Sequence, residues 1–168
     1  MGLLDGKSAI ITGSARGIGR ATAELLAEHG AKVLINDLDA DLAQQTASEI
    51  DAETTVYGGD LTKPGAPDEL VQTAIDAWGK LDIIVNNAGY TIDAPLHKLS
   101  DEAFQRMLDI HTVVPFRVIR AAAPHLREPA KAERERGEDG TAEHGGPRYE
   151  ARGRIATAGH RRDAESGA

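Results

Sequence analysis

The residues of this chain whose types and spacing could do chemistry begin with Thr12-Gly13-Ser14-Ala15-Arg16-Gly17-Ile18-Gly19. Three glycines at Gly-x-x-x-Gly-x-Gly spacing stand between an apolar run, Ala9-Ile10-Ile11, and a helical pattern of Ile18, Ala21, Leu25 and Leu26. A strand, a glycine turn and a helix start in that order can cradle a nucleotide phosphate. The glycines let the backbone turn tightly and approach a pyrophosphate, and the helix offers free N–H groups and the positive end of its dipole. Glycines at that spacing also close ordinary strand–helix joints, so the turn does not decide the matter alone. Asp37 ends a second apolar run, 18 residues after Gly19. An acid there can accept hydrogen bonds from ribose hydroxyls and repels a 2′-phosphate, which favours NAD over NADP. Arg16, in the turn, argues the other way, and Asp37 also fits a plain turn residue before Leu38-Asp39.

Other chemistries find no support. There is no cysteine, which removes disulfides, thiolate zinc sites and thiol nucleophiles. His29, His97, His125, His144 and His160 show no metal-ligand spacing and read as surface residues, so no metal is expected. A net charge of -8 argues against a nucleic-acid or anionic-membrane partner. The N-terminus lacks a basic region followed by a long apolar run, no stretch approaches membrane-spanning length, and Gly6 stands where myristoylation needs Ser or Thr. A cytoplasmic protein is the expectation.

The elements that must position these residues follow from periodicity. Lys7 to Thr12, Lys32 to Asp37, Thr54 to Tyr57 and Leu81 to Asn86 read as strands, the first and fourth apolar on both faces as interior parallel strands are. Helices are expected from Arg16 to His29, from Ala40 to Ile50 behind an Asp39 cap, and from Asp68 to Trp78 with Leu70, Ala74 and Ala77/Trp78 inward. Lys63 to Pro67 and Tyr90 to Leu99 read as loops. Ser100 can cap a helix from Asp101 to Asp109, and helical pattern resumes from Ile110 to Leu126, with Pro115 kinking it or marking a junction. Alternating strands and helices imply right-handed crossovers and an α/β fold. The expected architecture is a Rossmann-like doubly wound parallel sheet in the order 3-2-1-4, with the ligand at the reversal after the third strand.

The charge divides the chain. Residues 1–130 hold 11 Lys+Arg against 19 Asp+Glu, whereas residues 131–168 hold 8 of each. The second part offers only Tyr149 and Ile155 as large apolar residues and cannot offset its ordering entropy by burial. Residues 1–130 therefore read as a dinucleotide-binding body, and 131–168 as a polar, disordered tail or an out-of-frame continuation of a GC-rich gene. The break in mid-domain favours the second. Reading the DNA past codon 130 in all three frames would decide it.

With Asn86-Asn87-Ala88-Gly89 directly after Leu81-Asp82-Ile83-Ile84-Val85, the glycine turn resembles that of the short-chain dehydrogenase/reductase family, over about residues 4–129. The resemblance implies that Asp60 contacts the adenine amino group and Leu61 the ring. It also implies that Asn87 ties the fourth strand to its neighbour and that Ala88-Gly89 lies against the cofactor ribose. The implied cofactor-binding set is Gly13, Arg16, Gly17, Ile18, Gly19, Asp37, Asp60, Leu61, Asn87, Ala88 and Gly89, holding NAD rather than NADP. His111 stands where the family usually has an Asn that holds a water in a proton relay. It is the one catalytic candidate here, with simple packing as the other reading. Pro115 to Leu126 resembles the helix that carries subunit contacts in this typically homo-oligomeric family.

The family's catalytic Ser, and its Tyr with a Lys four residues on, are not found. Four residues beyond Tyr57, Tyr90 and Tyr149 stand Leu61, Ala94 and Gly153. Three functions stay open: an oxidoreductase moving hydride between nicotinamide and a carbonyl or alcohol substrate of 3-oxoacyl type, a non-catalytic dinucleotide-binding module, or a truncated product without function. Without a fifth strand, the strand Leu81 to Asn86 is expected to present an open edge, a template for self-association. Val113, Val114, Phe116, Val118 and Ile119 would then be partly wet.

Overall fold

The computed structural model describes residues 2–138, with side chains through residue 126. Four parallel strands, β1 (Ser8–Ile11), β2 (Lys32–Asp37), β3 (Thr54–Gly58) and β4 (Ile83–Val85), form one sheet in the order β3-β2-β1-β4. Ile10 pairs with Leu34 on one side and Ile84 on the other, and Ile11 with Ile35 and Val85. The doubly wound α/β architecture and its strand order are those expected from the alternation.

Strand residues point alternately to the two faces, and each face has its own core. Ile10 and Leu34 face α3 (Ala66–Trp78) and α5 (Val114–Glu138), meeting Leu70, Ala74, Val114 and Val118. Ala9, Ile11, Val33 and Ile35 face α1 (Gly17–Glu28) and α2 (Ala40–Glu49), meeting Ala23, Ala27, Ala43 and Ala47. The buried stripe of α1 is Gly19, Ala23 and Ala27, and of the expected pattern Ile18, Ala21, Leu25 and Leu26 only Leu26 packs against this core. Small residues at four-residue spacing let α1 lie close on the sheet, and Ile18 (81% exposed) and Leu25 (53%) face outward.

Local signals set the helix ends. Asp39 accepts from the Leu42 amide (3.1 Å) at the start of α2. Ser100 accepts from the Ala103 amide (3.1 Å) at the start of α4 (Asp101–Leu108). The helix α3 starts at Ala66, two residues before its expected start, because Pro67 fits a first helical turn that needs no N–H from it. Its inward face is Leu70, Val71 and Ala74, while Ala77 is exposed. A π-turn over Asp109–Val113 joins α4 to α5, so the junction expected near Pro115 is a widened turn just before the proline. The α5 backbone runs on to Glu138, past the expected helix end at Leu126 and past the division at residue 130. The remaining tail, with Tyr149 and Ile155, lies outside the described residues.

At the N-terminal ends of β1 and β4 the Asp82 carboxylate accepts from the Ser8 amide (2.9 Å) and meets Lys7 Nζ and Lys80 Nζ, each at 3.2 Å. Burial works against the charge on Asp82, but the Ser8 amide and the two ammonium groups outweigh it and hold the carboxyl below its ordinary range. This cluster fastens β4 to β1 at the end of the sheet away from the glycine turn.

Among the described residues β4 pairs with β1 alone, and Ile83, Ile84 and Val85 are half-buried where β1 is fully buried. Among the described residues the edge of β4 away from β1 is open, as expected. The wet flank is smaller than expected: Val114 and Val118 are buried and Val113 is half-buried. Phe116 (60% exposed) and Ile119 (52%) are the residues that face out.

Candidate dinucleotide site

The strand order reverses between β1 and β4, so the loops at their C-terminal ends diverge and leave a crevice. A cleft of about 510 Å³ opens there. Gly13 and Arg16 line it from the glycine turn, and Asn36, Asp37 and Leu38 from the end of β2. Gly59 to Thr62 line it after β3, Asn87 to Tyr90 after β4, and Arg106, Asp109 and Ile110 from the far wall. Eight of the expected binding residues thus share one cleft: Gly13, Arg16, Asp37, Asp60, Leu61, Asn87, Ala88 and Gly89. Gly17, Ile18 and Gly19 form the start of α1 beside it, and His111 stands outside its lining.

The glycine turn has to be glycine for two separate reasons. Gly13 (φ +63°) and Gly17 (φ +58°) adopt the left-handed conformation that side chains disfavour. Gly19 has ordinary backbone, but a Cβ there would overlap the Gly13 carbonyl and crowd the Asn87 side chain. The first turn of α1 carries no acidic residue and no side-chain cap, so its leading N–H groups remain free beside the cleft.

Asp37 is 7% exposed at the end of β2. Its carboxylate accepts from the Ala15 amide (3.3 Å) and the Asp39 amide (3.3 Å). Arg16 Nη2 stands 3.9 Å from Asp37 Oδ1 on a side chain 73% exposed, a loose pair of small energetic weight. Asp60 Oδ1 accepts from the Thr62 hydroxyl (2.7 Å) and amide (2.9 Å). The Thr62 hydroxyl bond, aided by the Thr62 amide and Lys63, holds the Asp60 carboxyl below its ordinary range against its partial burial. Tyr57, at the end of β3, donates to Glu69 (2.9 Å), and burial followed by this bond pushes its hydroxyl up to about 12.

Asn87 is the tie that the resemblance implied. Its Nδ2 donates to the Thr12 and Gly13 carbonyls, both at 2.9 Å. Thr12 Oγ1 in turn accepts from the Asn87 and Ala88 amides, both at 3.0 Å. Thr12, placed by the sequence reading at the head of the glycine turn without a role, and Asn36, which that reading did not single out, hold this site's backbone. Asn36, 2% exposed, takes the Gly13 amide on Oδ1 (3.4 Å) and donates from Nδ2 to the Tyr57 carbonyl (2.8 Å). A polar residue inside the run Val33-Leu34-Ile35-Asn36 was the available signal, since a buried amide must find partners. His111 Nε2 lies 2.8 Å from the Tyr90 carbonyl oxygen, which fixes the proton on that nitrogen. The ring lies against Gly89, where a Cβ would collide with it.

A profile of the family described as short chain dehydrogenase matches residues 7–138. The chain belongs to the short chain dehydrogenase family. Sorbitol dehydrogenase of Cereibacter sphaeroides is 43% identical over 108 residues, covering 64% of this chain and 42% of that enzyme. Hydroxyacyl-CoA dehydrogenase ChsB1 of Mycobacterium tuberculosis is 40% identical over 136 residues, covering 76% and 43%. The crystal structure of a metagenomic short-chain oxidoreductase in complex with NADP superposes with a TM-score of 0.69 at 30% identity, covering 73% of this chain and 57% of that one. The chain spans less than half the length of these two curated relatives. Among its described residues no helix is long and apolar enough to cross a membrane.

Proposed function

We infer that this chain binds a nicotinamide dinucleotide in the cleft, with NAD preferred to NADP. The observation that carries the reading is Asp37: a carboxylate almost buried at the end of β2, held by two backbone amides, on the lip of a cleft beside an uncapped helix start. The residues fit such a ligand. Gly13, Gly17, Ile18 and Gly19 present backbone to the pyrophosphate, with Arg16 above it. Asp37 takes the adenosine ribose hydroxyls, Asp60 and Leu61 the base, and Asn87, Ala88 and Gly89 the nicotinamide-side ribose. A 2′-phosphate would meet the Asp37 carboxylate. The exposed, loosely paired Arg16 offers it partial compensation, and the metagenomic short-chain oxidoreductase was crystallised in complex with NADP, so the preference rests on Asp37.

When bound, the dinucleotide supplies a hydride to, or accepts one from, a carbonyl or alcohol carbon. The relatives' names support an oxidoreductase lineage, and the hydroxyacyl-CoA dehydrogenase among them supports a 3-oxoacyl-type substrate. This sequence carries no Tyr with a Lys four residues on to move the matching proton. His111 is the remaining catalytic candidate; its Nε2 is committed to the Tyr90 carbonyl, which leaves Nδ1 as the ring's proton acceptor but supplies no counterpart of the Tyr and Lys pair. The reading is therefore a dinucleotide-binding body, residues 1–130, without hydride-transfer activity of its own. It sits in the cytoplasm and self-associates through the open β4 edge.

Titration calorimetry with NAD and NADP tests the reading. The unaltered chain should bind NAD more tightly, and Asp37→Ala should weaken NAD binding by about tenfold while narrowing the difference from NADP. Equal heats from both proteins would refute the assignment of Asp37. Hydride transfer seen as nicotinamide absorbance with a 3-oxoacyl substrate would refute the non-catalytic reading.

A further inference from the structure

The cleft has two cations in its walls, and they are held differently. Arg16 is paired with Asp37, whereas no ion pair among the described residues includes Arg106. The Arg106 guanidinium carbon instead lies 5.8 Å from the centroid of the Tyr90 ring. Tyr90 secures that platform by donating from its hydroxyl to the Arg106 carbonyl (3.2 Å). The nearest wall carboxylate along the helix, Asp109, accepts from Gln105 (2.9 Å).

Arg106 stands one helical turn before Ile110, so the two share a helix face. Ile110 packs in one core cluster with Leu61, and both line the cleft. Arg106 thus lines the same cleft as the apolar pair Ile110 and Leu61, and the reading above puts the base at Leu61. A planar group that only donates hydrogen bonds, resting on a phenol ring in the same cleft as an apolar pair, suits a flat ring with a π-face and acceptor nitrogens.

We propose that Arg106, with Tyr90 as its platform, recognises the purine base of the dinucleotide and sets the affinity for the adenosine end. This rests on the dinucleotide reading. Arg106 is exposed, so its substitution leaves the fold intact, which far-ultraviolet circular dichroism verifies. Calorimetry on the full chain with NAD, AMP and nicotinamide mononucleotide tests the proposal. Arg106→Leu should weaken NAD and AMP binding by about tenfold, and Arg106→Lys by less, because the charge stays and the stacking plane is lost. Nicotinamide mononucleotide should be unaffected. Unchanged NAD and AMP binding in Arg106→Leu would overturn this proposal and leave the dinucleotide reading standing. A loss for the mononucleotide as large as that for AMP would overturn the assignment to the base. Failure of the unaltered chain to bind NAD would overturn both.

Discussion

The two sides of β1 differ in how completely they are closed. On the β2 side, Ile10, Ile11, Leu34 and Ile35 are fully buried. The polar groups under the glycine turn are matched, Ser14 holding backbone of β1 and β2 and Asn36 that of the glycine turn and β3. On the β4 side, three apolar strand residues are half-exposed and Phe116 and Ile119 face outward from α5. Yet the loop after β4 is as tightly tied as the glycine turn, through Thr12 and Asn87. The difference separates two tasks. The backbone that would hold a dinucleotide is organised by contacts within residues 2–126, whereas the flank beyond β4 is covered by nothing among the described residues.

Breaking the tie between the two sides should have the largest effect. Asn87→Ala removes both Nδ2 donors from the Thr12 and Gly13 carbonyls. It should cost about 1–3 kcal/mol in urea unfolding and should also weaken NAD binding, because the β1 and β4 loops lose their spacing. A variant as stable as the parent would show that the loops are held by something else.

Much of this organisation is legible in the sequence. The β2 run ends at Asp37 as expected, and the Asp39 and Ser100 caps fall where their side chains can reach amides. The reading fails where tertiary packing overrides pattern. The α1 stripe runs through Gly19, Ala23 and Ala27 because the helix must approach the sheet closely, which hydrophobicity alone does not signal. The same physics hides the roles of Thr12 and Asn36: their partners are backbone groups 21 to 76 residues away, brought near only by the sheet. In the candidate site the glycines and acids were legible, while the wall formed by Arg106, Asp109 and Ile110 was not. That wall depends on how the π-turn sets α4 against the cleft.

A smaller effect should come from the far end of β4. The Asp82 carboxyl is held below its ordinary range in the folded chain. Its contribution to stability is therefore complete above the unfolded value and is lost as pH falls through the lower folded value. Stability followed from pH 6 down to pH 2 should drop on this limb, and Asp82→Asn should flatten part of the drop. An unchanged acid limb in the variant would mean that the Lys7 and Lys80 contacts do not fasten β4.

The smallest change in stability should come from the open flank itself. Phe116→Glu and Ile119→Glu replace exposed side chains and should shift unfolding by about 0.5 kcal/mol or less. Light scattering should nevertheless show less self-association, since added charge disfavours contact through an apolar face. Association unaffected by either change would assign it to the β4 backbone edge rather than to α5.

Amide hydrogen exchange with and without NAD tests the central claim most directly. In the free chain, amides of β1 and β2 should exchange slowly and those of β4 faster. NAD should slow exchange at the start of α1, Gly17 to Gly19, and in the loop Asn87 to Tyr90, while leaving the β4 amides turned away from β1 fast. Uniform protection across the four strands, or no change on adding NAD, would contradict the account of a closed binding half beside an open flank.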